Sequence, residues 1–378
     1  MREKFENWYN KNYKKILIIP ALLIILSLAY VVYFTYQNND IIKKDVSLTG
    51  GTSITIFTDI SSQELENKLK IQFPDIDVSA ISDNTGKQTG LVITIPEEPE
   101  KITLAIEQFL EYKLTKDNSS VEFTGSSLGE DFYNQLIKAV IFAFLLMALV
   151  IFLIFGESKK IKVYSIILTL IAARITFPLS TFLNVFVFIA ASVTFFYGLY
   201  ISKSKKDYYL TLSSFAAFVL IFFIPIYLII IPLAIFLFAL YTIVSVPSIA
   251  VILSAFADIL IPLAIVDAFG VKISSAGIVA FLMLIGYSVD TDILLTTRVL
   301  RRKTESINQS IWGAFKTGTT MTITSIIAVS VALILVYNFG SILNQIFTIL
   351  IIGLSFDLLN TWITNVSIIK WYCEARGK

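Results

Sequence analysis

Long uncharged runs separated by short basic clusters dominate the chain. The first run, Ile16–Tyr36, follows Arg2, Lys4, Lys11, Lys14 and Lys15. It is long enough for a membrane helix, which needs about 20 apolar residues. It is too long for the apolar stretch of roughly 7–15 residues in a cleaved signal peptide. Residues 139–156 form a second run, between Lys138 and Glu157. Val163–Ser202 holds a single charge, Arg174, and fits an out-and-back pair turning near Pro178–Asn184. Tyr208–Ala257 is uncharged and fits a second pair, broken around Pro225 and Pro232, before the start of a further span. Ile249–Val266, Ile273–Thr297, Thr317–Tyr337 and Ile342–Val366 complete the series. With ten spans, the N-terminal bases, Lys159–Lys162, Lys203–Lys206, the run from Arg298 to Lys303 and the tail from Lys370 all face the cytoplasm, as the positive-inside rule requires.

The stretch between the first two runs has a different period. Ser53–Phe57 alternates polar and apolar residues and predicts a strand. Ser61-Ser62-Gln63-Glu64 is a capping-box pattern opening a helix to about Ile71. Ile76–Ile81 and Leu91–Ile95 predict two strands with turn chemistry at Asn84–Gly86. Pro99 opens a helix to about Leu114, and Val121–Phe123 predicts a last short strand. The order β-α-β-β-α-β is the split ferredoxin-like unit. The expected fold is thus a polytopic α-helical membrane protein with one α+β ferredoxin-like extracytoplasmic domain. Its expected parts are a cytoplasmic N-terminus (1–15), a first span (16–36), the external domain (37–133) and a second span (134–156). An inserted region with four extra spans (157–245), a four-helix membrane core (246–369) and a cytoplasmic C-terminus (370–378) follow.

Composition sharpens this. Of 378 residues, 56% are hydrophobic and 15% charged, with a mean hydropathy of +0.77. Soluble domains carry about 25% charged residues, so a soluble enzyme and a disordered chain are excluded. Residues 40–131 hold 17 acids and 8 bases, a balance of −9, against +11 for the remainder. Two such parts belong in different compartments. One cysteine, Cys373, excludes an intramolecular disulfide, and without histidine proton chemistry falls to carboxylates, Lys or Tyr. No G-x-x-x-x-G-K-[ST] loop is present, so energy must come from an ion gradient or a partner.

The candidate chemistry lies inside the apolar runs. Asp258, Asp290, Asp292 and Asp357 fall in three predicted spans. An ionised aspartate at the bilayer centre costs at least about 2.5–3.5 kcal/mol. Such groups suit a proton relay, and the bland alternative is a polar contact that only packs helices. Asp290 and Asp292 are about 200° apart on a helix of 3.6 residues per turn. Asp290 shares a face with Gly286, where a neighbouring helix can approach, and is expected to be the relay residue ahead of Asp292, which shares a face with Ser288 and Thr296. Lys316, Thr320 and Thr324 make one polar stripe, with Lys316 a possible counter-charge or a snorkelling lysine. Asp357, Thr361 and Asn365 make a matching one. Gly50 and Gly51 permit a tight backbone where the chain enters the first strand.

Five motifs carry a resemblance. Gly50-Gly51-Thr52 after Leu48-Thr49 resembles the entry segment of the SecD/SecF family of protein-export membrane proteins. Ala257-Asp258-Ile259 resembles the family's third-span acid. Gly286-Tyr287-Ser288-Val289-Asp290-Thr291-Asp292, followed by Arg298, resembles its fourth-span signature in the archaeal SecF branch. The stretch Lys316 to Thr322, with Thr317 and Thr320, resembles the polar start of its fifth span. Asp357-Leu358-Leu359-Asn360-Thr361-Trp362, with Asn365, resembles its sixth. Residues 16–60, 121–156 and 246–372 are covered. In bacterial members an Asn-Asp pair stands where this chain has acids on either side of Thr291, and residues 157–245 have no counterpart in a six-span member.

The resemblance implies a non-enzymatic accessory subunit of the Sec export machinery in the plasma membrane. It implies a SecD-like partner, a SecY-type channel complex, translocating polypeptides and membrane lipids as contacts, the proton gradient as energy source, and no cofactor, metal or nucleic acid. A half-size exporter of the resistance–nodulation–division kind and a non-catalytic scaffold are the alternatives.

Overall fold

A computed structural model of the protein describes residues 2–82, 87–156, 159–176, 181–202, 245–302, 305–337 and 342–377, with isolated positions between 205 and 219. The Asn84–Gly86 turn, the start of the Pro178–Asn184 turn, most of Lys203–Lys206 and the breaks at Pro225 and Pro232 lie outside the described residues. The second out-and-back pair therefore does too.

Helix α1 (Arg2–Ile16) runs almost directly into α2 (Ile18–Asn38). After the short α3 (Val46–Thr49), the chain enters β1 (Gly51–Ile56), α4 (Ser62–Leu69), β2 (Asp77–Ser82), β3 (Gln88–Ile95), α5 (Pro99–Leu110) and β4 (Ser119–Thr124). The sheet is antiparallel with order β2-β3-β1-β4. Alternation along the strands turns Ile54, Ile56, Leu91, Ile93 and Ile95 to one face, where Leu65 of α4 and Ile102 and Ile106 of α5 cover them. The expected capping box at Ser61 does not form: its side chain makes no capping hydrogen bond, and the helix ends near Leu69. A capping box does form at Ser306 and Gln309.

The membrane part comprises α6 (Ser126–Phe155), α7 (Lys159–Thr176), α8 (Thr181–Ile201), α9 (Val246–Ala268), α10 (Ser275–Arg301), α11 (Ile307–Val336) and α12 (Ile342–Leu359). A π-helical segment, Asn360–Asn365, links α12 to α13 (Val366–Ala375). Among the described residues, seven helices are long and apolar enough to cross a membrane: Tyr9–Asn38, Ser126–Phe155, Asn184–Ile201, Val246–Ala268, Ser275–Arg301, Ile307–Val336 and Ile342–Ala375. Helix α11 starts ten residues before Thr317, the expected boundary. Its first turns are amphipathic, and Ile307, Ile311 and Ala314 pack against Val366, Ile369 and Cys373 of α13. Helices α9 and α10 are the inner members, while α11 exposes most of its surface.

Sheet domain and bundle are tied at several points. Ile273, before α10, exchanges backbone hydrogen bonds with Lys43 and Asp45, at 2.7 and 3.0 Å. Lys272 forms a 2.7 Å ion pair with Asp77 of β2. Leu48, fully buried, joins Ile42, Tyr133, Val266 and Ile273 in one apolar cluster.

The two ends of the inserted region meet. Ser245 Oγ donates to the Phe155 carbonyl at 3.4 Å, so the chain leaves and re-enters the bundle at one place. The hairpin α7–α8 packs Val163, Ile167 and Ile171 on Ile151 and Phe152 of α6. Lipid tails are as apolar as these side chains and can replace them. Deleting residues 157–244 with a short Gly-Ser bridge is therefore expected to leave membrane insertion and a protease-resistant external domain intact. Membrane fractionation and limited proteolysis would check this, and a chain that no longer inserts would show the region to be integral.

Candidate functional site

Three of the four membrane aspartates converge, one from each of α9, α10 and α12, and all are buried. Asp258 accepts from Ser288 Oγ at 2.5 Å and from Asn360 Nδ2 at 2.6 Å. Asp357 accepts from Thr361 at 3.2 Å and from Thr322 at 3.5 Å. Asp292 accepts from Asn365 Nδ2 at 2.8 Å, and the same amide reaches Thr296 Oγ1 at 3.3 Å. The second carboxylate oxygen of Asp292 is buried without a hydrogen-bond partner, although the Ser254 and Thr361 hydroxyls face that carboxyl group. Among the described residues, no lysine or arginine pairs with any of the three. The donors are all neutral.

Local sequence explains the placement. On α9, Ser254, Asp258 and Pro262 follow i, i+4, i+8. Pro262 has no N–H, so the helix cannot bond the Asp258 carbonyl in the usual way, and the backbone is loosened beside the acid. On α10, Ser288, Asp292 and Thr296 line the buried face, with Leu284 and Leu295 beside them. On the last helix the π-helical segment turns Asn360, Thr361, Thr364 and Asn365 all inward, and single π turns of this kind concentrate at functional sites. Ser254 and Thr364 stand in none of the sequence motifs, and Thr322 stands only at the end of one. The i−4 spacing of Ser254 from Asp258 was the available signal.

The remaining candidates lie elsewhere. Asp290 is exposed, on the face that also carries Met283, Gly286 and Tyr287. A Cβ at Gly286 would meet nothing within 4 Å, so no helix approaches there among the described residues. Of the two acids on α10, Asp292 is the one that meets the other aspartates: the packed face bears Ser288, Asp292 and Thr296, and Asp290 lies on the opposite one. Lys316, Thr317, Thr320 and Thr324 are exposed, and the three hydroxyls bond to their own helix backbone. The Lys316 stripe therefore does not face the Asp357 stripe; Thr322 is the residue of α11 that reaches Asp357. Thr291 is buried and packs at the crossing of α10, α11 and the last helix, where a Cβ on Gly318 would come within 2.9 Å of its methyl and 2.7 Å of Trp362.

At the domain entry, Gly50 and Gly51 have φ of 80° and 134°. Thr52, fully buried, donates to the Glu97 carbonyl at 2.6 Å. Gly129 of α6 lies against this turn; a Cβ there would come within 2.7 Å of the Gly50 nitrogen.

A helical bundle with acids at its centre, joined to a ferredoxin-like sheet, makes this a polytopic helical membrane protein with a sheet domain. Residues 212–375 match the family model described as protein export membrane protein SecD/SecF, C-terminal. The chain is 30% identical, over 97% of its length and 99% of the relative's, to the protein-export membrane protein SecF of Methanocaldococcus jannaschii, and it belongs to the SecF family. That match runs through residues 157–245, so the inserted region has a counterpart in this relative. The SecF of Methanothermobacter thermautotrophicus is 51% identical over 35% of the chain and 47% of its own length. The crystal structure of SecDF, a translocon-associated membrane protein from Thermus thermophilus, superposes with a TM-score of 0.55 at 12% identity, over 96% of this chain. This chain spans 38% of that longer one, and the likeness is one of fold.

Proposed function

We propose that this multi-pass membrane protein is an accessory, non-catalytic subunit of the Sec protein-export machinery. It works with a SecD-like subunit beside a SecY-type channel and uses the proton gradient to promote translocation, with both termini in the cytoplasm. The observation that carries the gradient-driven part is the cluster of Asp258, Asp292 and Asp357, buried with neutral donors and no counter-charge. Carboxylates in such surroundings are stable as the acid or when a cation joins them. Gaining or losing a proton there changes which donors on α9, α10 and the π-helical segment can pair, and so biases helix packing. The ties at Ile273 and Lys272 carry a helix movement to the external domain. The exposed Asp290 and Gly286 are a contact face for the SecD-like subunit, since an aspartate facing hydrocarbon is costly.

The test is purification of the tagged full-length chain from native membranes, joined to export of a secretory reporter with and without a proton gradient. A SecD-like subunit is expected to copurify, and deletion of the gene to remove the gradient-dependent part of export. Export that responds to the gradient equally without the protein would sink this reading.

A further inference from the structure

Two apolar runs stop at one level. The run Ile273–Thr297 ends at Arg298, and the run Thr317–Tyr337 begins after Lys316, so both cations stand where α10 and α11 leave the hydrocarbon. The structure brings these two helix ends together. Gly313 of α11 lies under the Arg298 side chain: a Cβ on it would fall on the guanidinium, 2.5 Å from Cζ and 2.9 Å from Nε. With any side chain at position 313 the planar group would have to move. Trp312, beside Gly313, stacks on Phe315 with ring centroids 5.4 Å apart, and tryptophan is enriched at headgroup level.

Arg298 is half-buried, yet its guanidinium has no acceptor among the described residues. Nε is buried without a hydrogen-bond partner, and no acid there pairs with the group. Glu305, the acid of the adjoining loop, is committed elsewhere: it pairs with Arg302 at 2.6 Å and accepts from Ser310 at 3.2 Å. Arg301, three residues on from Arg298, and Lys316, three residues on from Gly313, are exposed and likewise in no ion pair among the described residues. Three uncompensated cations thus lie within one turn of the Arg298–Gly313 contact. Positive charge at a cytoplasmic helix end is ordinary. A guanidinium held in place by packing and left without acceptors is not.

We propose that the notch between α10 and α11 binds the phosphate of an anionic phospholipid of the cytoplasmic leaflet, gripped by Arg298, with Arg301 and Lys316 adding charge. The site does not depend on the export reading above. The terminal nitrogens of Arg298, unlike Nε, reach the surface, and a guanidinium takes two phosphate oxygens in parallel. Basic pockets between membrane helices on the cytoplasmic side hold headgroups in this way. A free phosphate ion has the same chemistry. The level of the site, at the ends of two apolar runs and beside Trp312, favours a phosphate carried by a lipid. A zwitterionic headgroup brings its own cation, which Arg301 and Lys316 would repel, so the fit is to an anionic one.

The experiment purifies the full-length chain from native membranes in mild detergent and titrates it with phosphatidylglycerol, phosphatidylcholine or inorganic phosphate, counting bound molecules by native mass spectrometry. One phosphatidylglycerol per chain is expected to stay bound under conditions that strip phosphatidylcholine. Arg298→Lys keeps the charge but loses the fork, and should weaken binding by about tenfold, the worth of one hydrogen bond to a charged group. Gly313→Ala keeps every charge but displaces the guanidinium, and should weaken binding comparably. Arg301→Lys, at an exposed site, should leave it unchanged. All three should insert and elute like the unaltered chain. Equal retention of the two lipids would overturn the proposal, as would undiminished retention in both Arg298→Lys and Gly313→Ala. Displacement of the lipid by millimolar inorganic phosphate would overturn the lipid as the source of the phosphate. Loss of a copurifying SecD-like subunit from Arg298→Lys, with lipid binding unchanged, would overturn it too, because an acid of that subunit would then be the acceptor.

Discussion

Asp292→Asn is expected to abolish the gradient-dependent stimulation of export while leaving insertion, folding and copurification of a SecD-like subunit unchanged. The substitution keeps size and shape. Its amide oxygen can still accept from Asn365 Nδ2, now 2.8 Å from the Asp292 carboxylate. Its amide nitrogen would stand where the unpartnered oxygen is, facing the Ser254 and Thr361 hydroxyls, which can accept. Only the titration is lost. Asp258→Asn should behave similarly, but with some cost in stability. There the acid accepts from Ser288 and from Asn360 Nδ2, and an Asn can accept in only one of those two places. Asp290→Asn should keep gradient dependence, because that residue faces away from the cluster; what it should weaken is retention of the SecD-like subunit during purification. Export of a reporter in vesicles at matched expression, with and without a gradient, reads all three. Full stimulation in Asp292→Asn, combined with its loss in Asp290→Asn, would move the relay to the exposed face and refute the assignment.

The two aspartates of α10 show what a sequence can and cannot convey. Their 200° separation follows from helix geometry alone, and the structure has them on opposite faces, one exposed and one buried. Which face is buried was not legible. Gly286 reads as a place where a neighbouring helix can approach, and no helix of the described residues does so. Within the described residues, close approaches occur at Gly318, against Trp362 and Thr291, and at Gly353, where a Cβ would come within 2.3 Å of Leu284. A small residue marks a close contact only if another helix is there, and that depends on how the bundle closes. The strands of the sheet domain were legible because one face is buried and the period-2 pattern survives in Ile54, Ile56, Leu91 and Ile93. The π-helical turn was not, since Asn360–Asn365 reads as ordinary helix until the positions of Asp258 and Asp292 require its amides to face both. The amphipathic start of α11 was missed because Asn308, Gln309 and Ser310 break the apolar run, although Ser306 and Gln309 have capping-box spacing.

Gly51→Val is expected to cause the largest loss of stability among single changes outside the bundle. At φ 134° the backbone is in a region that side chains with a Cβ rarely occupy, and a Cβ there would lie 2.3 Å from the Ile95 carbonyl oxygen and 2.8 Å from Pro96 Cα. Both obstacles are main chain of the paired strand β3 and the residue after it, so neither can move without breaking the β1–β3 ladder. Backbone strain and overpacking together amount to about 3–5 kcal/mol, a large share of the roughly 5–15 kcal/mol that holds a domain folded. Gly129→Val tests the other side of the same contact. Its Cβ would press on the Gly50 nitrogen at 2.7 Å and the Leu48 carbonyl at 3.0 Å, prising the entry turn off α6. Gly125→Ala is the control, because it sits at φ −63° with nothing within 4 Å of its Cβ. Thermal melting in detergent and protease sensitivity of residues 51–124 separate the three. A loosened entry turn should also weaken the link between helix movement and the sheet, so Gly129→Val is expected to lose gradient-dependent export at temperatures where the sheet itself still resists protease. A Gly51→Val protein that melts with the unaltered chain would mean that the turn bends freely, and the external domain would then have to be moved through Ile273 and Lys272 alone.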